Sequence, residues 1–203
     1  MTATVVNVSA RGLRLNMGAA ERASLKVGQD VRGLLVLEDF EIRLSLRLIR
    51  EIGSGEGGFR IRPPFPKGLE RLERYLEPRF LGMSLREIDP AKLQRAASET
   101  CGMRWFQGLN ETSLFSWEDG GSVVQQQLLF LERVVEWKGG DALKTGRIRG
   151  ELPGLAGWVK ADLLEFDVAI DRDLVTQARV LVENAKIDSK VKETFLSKIN
   201  HVR

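Results

Sequence analysis

The chain has 203 residues, of which 43% are hydrophobic, and its 31 basic and 28 acidic side chains leave a net charge of +3. This hydrophobic share predicts a globular core, and the small net charge argues against a dedicated nucleic-acid binder. No run approaches the roughly 20 apolar residues of a membrane-spanning helix, so we expect no membrane insertion. One cysteine and one histidine exclude an intramolecular disulfide and are too few for a Cys/His zinc site.

The hydrophobic pattern of the first 62 residues predicts short strands joined by glycine-rich turns. Thr4–Leu15 has apolar runs on both sides of a polar kink, Leu34–Leu37 is a compact apolar run, and Glu41–Leu48 alternates strictly between apolar and polar residues. Such alternation is typical of a strand with one face on a core. The glycines of Ile52–Gly58 predict a flexible turn before a last strand over Phe59–Arg62. Strands that follow one another without an intervening helix indicate an antiparallel barrel or sandwich.

Two helices are predicted after these strands. The first follows a double proline and places four large side chains on one helical face, namely Leu69, Leu72, Tyr75 and Leu76. The second begins at Asp89-Pro90, which suits an N-cap followed by a proline in the first turn, and would be carried by Ala91–Ser98.

A second β-rich segment runs from Met103 to Ile148. Five strand-like runs alternate there with turn signals such as Asp119-Gly120-Gly121, and aspartate-glycine between alternating runs is a strong hairpin signal, so we expect an antiparallel meander. Three tryptophans recur in this segment, namely Trp105, Trp117 and Trp137. They could form a stacking platform for bases, but each lies inside an apolar run, which favours packing in a core.

Two amphipathic helices are predicted near the end of the chain. Asp171 suits the N-cap of the first, which runs to about Ala185, and Asp188 or Ser189 caps the second. Such helices either cover a sheet or pack against a partner. We expect them to cover the sheet, with a homodimer through these helices as the second interpretation.

The polar kink near the N-terminus contains Asn7, Ser9 and Gly12 in the spacing N-x-S-x-x-G. Gly12 allows backbone conformations closed to other residues and would let a ligand approach closely. Asn7 offers amide donor and acceptor groups to a base edge, and Ser9 can bond a base, a phosphate or the turn itself. The alternative is a hairpin kink in which the side chains of Asn7 and Ser9 form hydrogen bonds with the nearby backbone.

This spacing resembles the second nucleotide-binding motif of PilZ domains, usually written D/N-x-S-x-x-G. PilZ domains are small β-barrels, many of which bind the bacterial second messenger cyclic di-GMP and commonly end in a helix that closes one barrel mouth. The resemblance covers about residues 1–80. It implies that Asn7 and Ser9 read a guanine, that Gly12 makes room for it, and that Arg11 is the next ligand-binding residue.

The family's first motif, R-x-x-x-R, is not found before Asn7, because only six residues precede it. In PilZ domains its two arginines grip phosphates and guanine faces. Arg43 and Arg47 have the same spacing but lie in the middle of a predicted strand, where the pattern indicates a solvated face rather than a displaced binding motif. The first barrel strand is also missing, so either another segment closes the barrel or a longer N-terminus precedes Met1.

We therefore expect a mainly β (α+β) fold. A PilZ-like antiparallel β-barrel with a closing helix would span residues 1–82, a helical linker residues 83–101, and a β-meander domain with two terminal helices residues 102–203. The sequence contains no P-loop, nucleophile elbow, dinucleotide fingerprint or metal-ligand spacing, which predicts a non-enzymatic protein without catalytic residues, metal or cofactor.

The resemblance implies a cytoplasmic bacterial regulator. It would respond to cyclic di-GMP and act through contacts with a protein partner on motility, pili, secretion or exopolysaccharide. The alternative is an adaptor that no longer binds the nucleotide. A third hypothesis, nucleic-acid binding through basic strands and tryptophans, is disfavoured by the near balance of charge.

Overall fold

The computed structural model describes residues 2–9, 11–37, 41–53, 55–62, 66–89, 102–149 and 163–201. The chain divides into two compact units, Met1–Glu77 and Pro78–Arg203. Each unit contains one antiparallel sheet, and the mainly β fold class predicted from the sequence is confirmed.

The first unit is a curled five-stranded sheet in the order β1-β2-β5-β4-β3. Its elements are β1 (Ala3–Ser9), β2 (Gly12–Met17), α1 (Ala19–Ala23), β3 (Asp30–Val36), β4 (Glu41–Ile52) and β5 (Glu56–Ile61). Every neighbouring pair is antiparallel. Among the described residues the edge strands β1 and β3 do not pair with each other, so the predicted closed barrel is corrected to a half-barrel.

The core of the first unit lies on one face of this sheet. The alternation predicted in β4 is confirmed, since Ile42, Leu44, Leu46 and Leu48 are buried while Arg43 is exposed. Helix α2 (Pro66–Ser84) adds Leu72 and Leu76 to the same core. Burying these large apolar side chains supplies the main stabilising free energy of the unit.

The glycine-rich segment before β5 was predicted to be a flexible turn, and this prediction is wrong in part. Gly57 and Gly58 lie inside β5. A Cβ atom on Gly57 would come within 2.8 Å of the Phe59 ring and 2.9 Å of the Met17 methyl group. Gly57 is therefore a core position already filled by its neighbours, whereas Gly58 lies on the opposite face because successive strand residues alternate.

The second unit contains a seven-stranded antiparallel meander and two terminal helices. The sequence predicted both helices and five of these strands, but not the short strands Arg86–Glu87 and Leu164–Phe166. Its elements are β6 (Arg86–Glu87), β7 (Met103–Gln107), β8 (Ser113–Asp119), β9 (Ser122–Phe130), β10 (Arg133–Lys138), β11 (Lys144–Ile148), β12 (Leu164–Phe166), α3 (Arg172–Asn184) and α4 (Ser189–Asn200). Within the predicted linker, 83–101, helix α2 ends at Ser84 and β6 pairs with β7. The helix predicted over 91–98 lies outside the described residues.

The terminal helices cover the second sheet with their apolar faces. Asp171 and Asp188 accept hydrogen bonds from the backbone N–H groups of Leu174 and Val191, at 3.0 and 3.2 Å, and so cap α3 and α4. The buried helix residues pack against sheet residues such as Phe106 in one core cluster. The apolar faces of these helices, which the second interpretation assigned to a homodimer contact, are thus buried within the unit.

The tryptophans pack in the cores on the two faces of this sheet. Trp105 and Trp137 are buried and Trp117 is partly buried. Trp105 stacks on Phe115 with ring centroids 5.7 Å apart, and the indole N–H of Trp137 donates to Gln126. These contacts confirm core packing. None of the helices in the part of the chain that the structure describes has the length and apolar character to span a bilayer.

Candidate functional site

A cleft of about 530 Å³ lies on the first unit, formed by the β1–β2 turn and by β2, β4 and β5. All four residues predicted as ligand contacts line it, namely Asn7, Ser9, Arg11 and Gly12. Three arginines that the sequence analysis did not select line it as well, namely Arg14, Arg50 and Arg60. Its volume lies within the range of small-molecule sites.

A row of paired residues crosses four strands under the cleft. Asn7 on β1 is paired with Arg14 on β2, Arg14 with Gly58 on β5, and Gly58 with Arg50 on β4. Neighbouring strands lie about 4.8 Å apart, so the backbones of Arg14 and Arg50 stand roughly 10 Å apart on either side of Gly58. Because Gly58 has no side chain, the Arg50 side chain can lie over it, and a Cβ atom at position 58 would come within 3.2 Å of the Arg50 Cγ atom.

A second row brings the turn beside β5. Ser9 is paired with Gly12, and Gly12 with Arg60. The side chains of paired residues in an antiparallel ladder project from the same face of the sheet, and residues two positions apart in a strand share a face. The Arg60 side chain therefore projects from the same face as those of Arg14 and Arg50. The β1–β2 turn holds Arg11 at one end of this face.

Two β-bulges turn Asn7 and Arg50 toward the cleft. The register shifts between Val5 and Asn7 on β1 and between Leu48 and Arg50 on β4. Leu48 points into the core, and in a regular strand the residue two positions later would also point inward. The extra residue of the bulge moves Arg50 to the other face. The same displacement places Asn7 opposite Arg14.

Ser9 and Gly12 have structural roles within the hairpin. The Ser9 hydroxyl accepts from the backbone N–H groups of Arg11 and Gly12, at 3.3 and 3.1 Å, and donates to the carbonyl of Gly12 at 3.2 Å. Ser9 thus bonds the turn itself, which was the alternative interpretation. Gly12 does not have a positive φ. It is needed because a Cβ atom there would lie 2.7 Å from the carbonyl oxygen of Phe59.

The cleft carries positive charge that the described residues leave largely uncompensated. Arg14 forms an ion pair with Glu56. Arg11, Arg50 and Arg60 form no ion pair or side-chain hydrogen bond with any described residue, and no carboxylate lines the cleft. Clustered guanidinium groups without counter-charges attract anions and bind planar acceptors bidentately.

Arg43 and Arg47 do not line the cleft, although Arg47 on β4 is paired with Arg60 on β5. Arg47 donates to both carboxylate oxygens of Asp30, at 2.7 and 2.8 Å, and this hydrogen bonding lowers the pKa of Asp30. The charge of Arg47 is therefore compensated on β3. Arg43 is exposed and does not line the cleft.

The arrangement is suited to binding an anion. The lining offers arginine donors, the Asn7 amide and exposed Ile49, which can contact an apolar ring face. The described part of the chain contains no cluster of three or more potential metal ligands. Comparisons of the chain with protein-family models, with curated proteins and with solved structures found no match.

Proposed function

We propose that the first unit is a receptor for a cyclic dinucleotide of the cyclic di-GMP type and that the protein is a regulator rather than an enzyme. The observation that carries this proposal is the convergence of Asn7 with Arg11, Arg50 and Arg60 on one cleft, whose described lining residues include no carboxylate. The PilZ-like N-x-S-x-x-G spacing supports the choice of ligand. It would also place the protein in the bacterial cytoplasm, acting through a protein partner.

A cyclic dinucleotide offers what these side chains bind. Its two phosphodiesters accept bidentate hydrogen bonds from arginine, and a guanine presents O6 and N7 to the same fork. The arginines come from three strands, Arg14 from β2, Arg60 from β5 and Arg50 from β4, which suits an extended anion with several acceptor groups better than one phosphate. Arg50 and Arg60 would take the part that the upstream R-x-x-x-R motif plays in PilZ domains.

Such a ligand would stabilise the edge strand of the sheet. Asn7 lies on β1, most of whose residues are exposed, whereas Arg50 lies on β4 in the interior of the sheet. A ligand that contacts both residues would connect β1 to β4 across β2 and β5. It would therefore favour conformations in which β1 is paired, because a ligand shifts an equilibrium only toward the state it binds more tightly.

The test is calorimetric titration of the full chain with cyclic di-GMP. We expect a Kd that is micromolar or tighter, equivalent to roughly −8 kcal/mol or better. Removing a charge-assisted hydrogen bond costs about 1.5–3 kcal/mol, so Arg50→Ala and Arg60→Ala should each weaken binding roughly tenfold to a hundredfold. Asn7→Ala should weaken it less. Arg43→Ala is the matched control, because Arg43 is exposed on the same sheet outside the cleft.

Two competitors separate the ligand classes. Inorganic phosphate that displaces cyclic di-GMP at a similar concentration would indicate a general anion site and contradict nucleotide recognition. A linear guanine dinucleotide that binds as tightly would contradict selection of the cyclic form. Absence of binding by the wild-type chain would refute the receptor proposal and favour the alternative, a ligand-independent adaptor.

A further inference from the structure

The two sheets have four edge strands, and three of them carry features that prevent further strand pairing. Strands β6 and β12 have only two and three residues, and β1 contains a bulge. Strand β3 has seven residues, an unbroken register with β4 and neither proline nor lysine, and its two charged residues are Asp30, which is ion-paired with Arg47, and Arg32. Edge strands are normally protected by short length, bulges, proline or charged side chains, lysine above all. Among the described residues, no strand pairs with the outer side of β3.

The backbone of β3 is oriented to accept another strand. The Ser45 carbonyl on β4 accepts a hydrogen bond from the Arg62 N–H on the β5 side, so the backbone groups of Ser45 point away from β3. Arg32, its partner on β3, must then direct its own N–H and C=O to the open edge, and so must Leu34 two residues later. The Leu34 side chain on this edge is 52% exposed.

Gly33 lies in the middle of β3, and no contact with a described residue accounts for it. A glycine in a strand costs stability and often indicates a close approach of another backbone. Gly12 and Gly57 meet this expectation, since a Cβ atom at either would overlap with neighbouring atoms. At Gly33 a Cβ atom would have no neighbour within 4 Å, and its φ is not positive. Among the described residues nothing closely approaches Gly33, which lies beside the open edge of β3.

We propose that a second copy of the chain covers this edge, with its β3 paired antiparallel to the first about a two-fold axis at Gly33. The side chains around Gly33 are compatible with this register. Val31 lies opposite Leu35 of the second copy on the core side, and Arg32 lies opposite Leu34 of the second copy on the outer side. No two like charges face each other directly, and Gly33 meets Gly33 at the position where antiparallel backbones come closest.

The dimer would be weak and concentration-dependent, because pairing one short strand buries much less area than a standard interface. The proposal is independent of ligand binding, since no residue of β3 lines the cleft. Sedimentation equilibrium of the full chain from micromolar to near-millimolar concentration should show a mass that rises from one chain toward two. A mass of one chain throughout this range would overturn the proposal.

Two substitutions of Leu34 test the register. Leu34→Lys places like charges opposite each other at both Arg32 positions and should weaken the dimer roughly tenfold, whereas Leu34→Glu places opposite charges there and should preserve or tighten it. Val168→Lys is the control, because Val168 is fully exposed in the second unit. Equal weakening by both Leu34 substitutions, or no change with either, would overturn this register. Unchanged melting temperatures would show that the variants fold.

A disulfide gives a second readout. Across the two-fold axis the Cα atoms at position 33 would lie about 4.5 Å apart, within the range that a disulfide spans. Gly33→Cys in a Cys101→Ser background should oxidise to a covalent dimer, whereas Val36→Cys in the same background should not, because the two positions are far apart in this register. Equal cross-linking of the two variants would refute the pairing.

Discussion

Replacing Gly12 with alanine tests the structural role that the geometry gives to this glycine. Its Cβ atom would lie 2.7 Å from the Phe59 carbonyl oxygen, so β2 and β5 must separate by several tenths of an ångström. Inserting a methyl group into a closely packed site typically costs about 1–3 kcal/mol. Gly33→Ala is the matched control, because its Cβ atom meets open space and alanine should instead stabilise the strand by roughly 0.5–1 kcal/mol. The two variants should differ by about 2–4 kcal/mol.

The assay is urea unfolding followed by circular dichroism at low protein concentration. All four tryptophans lie after residue 77, so tryptophan fluorescence reports separately on the second unit. Gly12→Ala should lower the unfolding midpoint in the circular dichroism signal and leave the fluorescence transition in place. Equal effects of the Gly12 and Gly33 substitutions on the free energy of unfolding would refute the reasoning, because they would show that the Phe59 carbonyl does not restrict position 12.

Three further predictions concern the second unit. Leu131 and Glu132 both have positive φ, 50° and 59°, so Leu131→Asn with Glu132→Gly should stabilise the hairpin by about 1–2 kcal/mol in urea unfolding. Gln126→Leu should destabilise the unit by about 1–3 kcal/mol, because the buried Trp137 indole N–H, now 3.1 Å from the Gln126 oxygen, loses its acceptor. Hydrogen bonds from two arginines lower the pKa of Glu165 from 4.5 to about 2. Its stabilising effect should be complete above pH 4.5 and lost as the pH falls to about 2, so Glu165→Gln should weaken this part of the acid-unfolding profile.

Each of these predictions has a clear contrary outcome. A double variant of the hairpin with an unchanged midpoint would show that the two positive φ angles store no strain. A neutral Gln126→Leu variant would show that the Trp137 N–H finds another acceptor. Identical acid unfolding of the wild type and the Glu165 variant would contradict the lowered pKa.

The elements that depend on short-range patterns could be predicted from the sequence. The alternation of Glu41–Leu48 determines which side chains of β4 are buried, because side chains alternate along any regular strand. The caps at Asp171 and Asp188 follow from carboxylates that stand just before the first helical turn. The order of β7 to β11 in the second sheet follows from short hairpin connections, which place consecutive strands side by side.

The candidate site could be predicted only in part. Asn7, Ser9, Arg11 and Gly12 were found because they belong to one hairpin and one local motif. Arg50 and Arg60 were not, because their position beside that hairpin depends on the registers of β2, β5 and β4. A residue-by-residue alternation from Leu48 would even have placed Arg50 in the core, and only the bulge turns it outward.

The sequence by itself determined most of the strands, the terminal helices and the polar turn near the N-terminus, since hydrophobic periodicity and capping act between residues a few positions apart. Only the tertiary structure decided that the first sheet is a half-barrel, that Gly12 makes room for a neighbouring strand, and that three further arginines join the turn in one cleft. The pairing of β2 with β5, the bulges and the close backbone approach arise from packing between segments distant in sequence, and no local pattern encodes them.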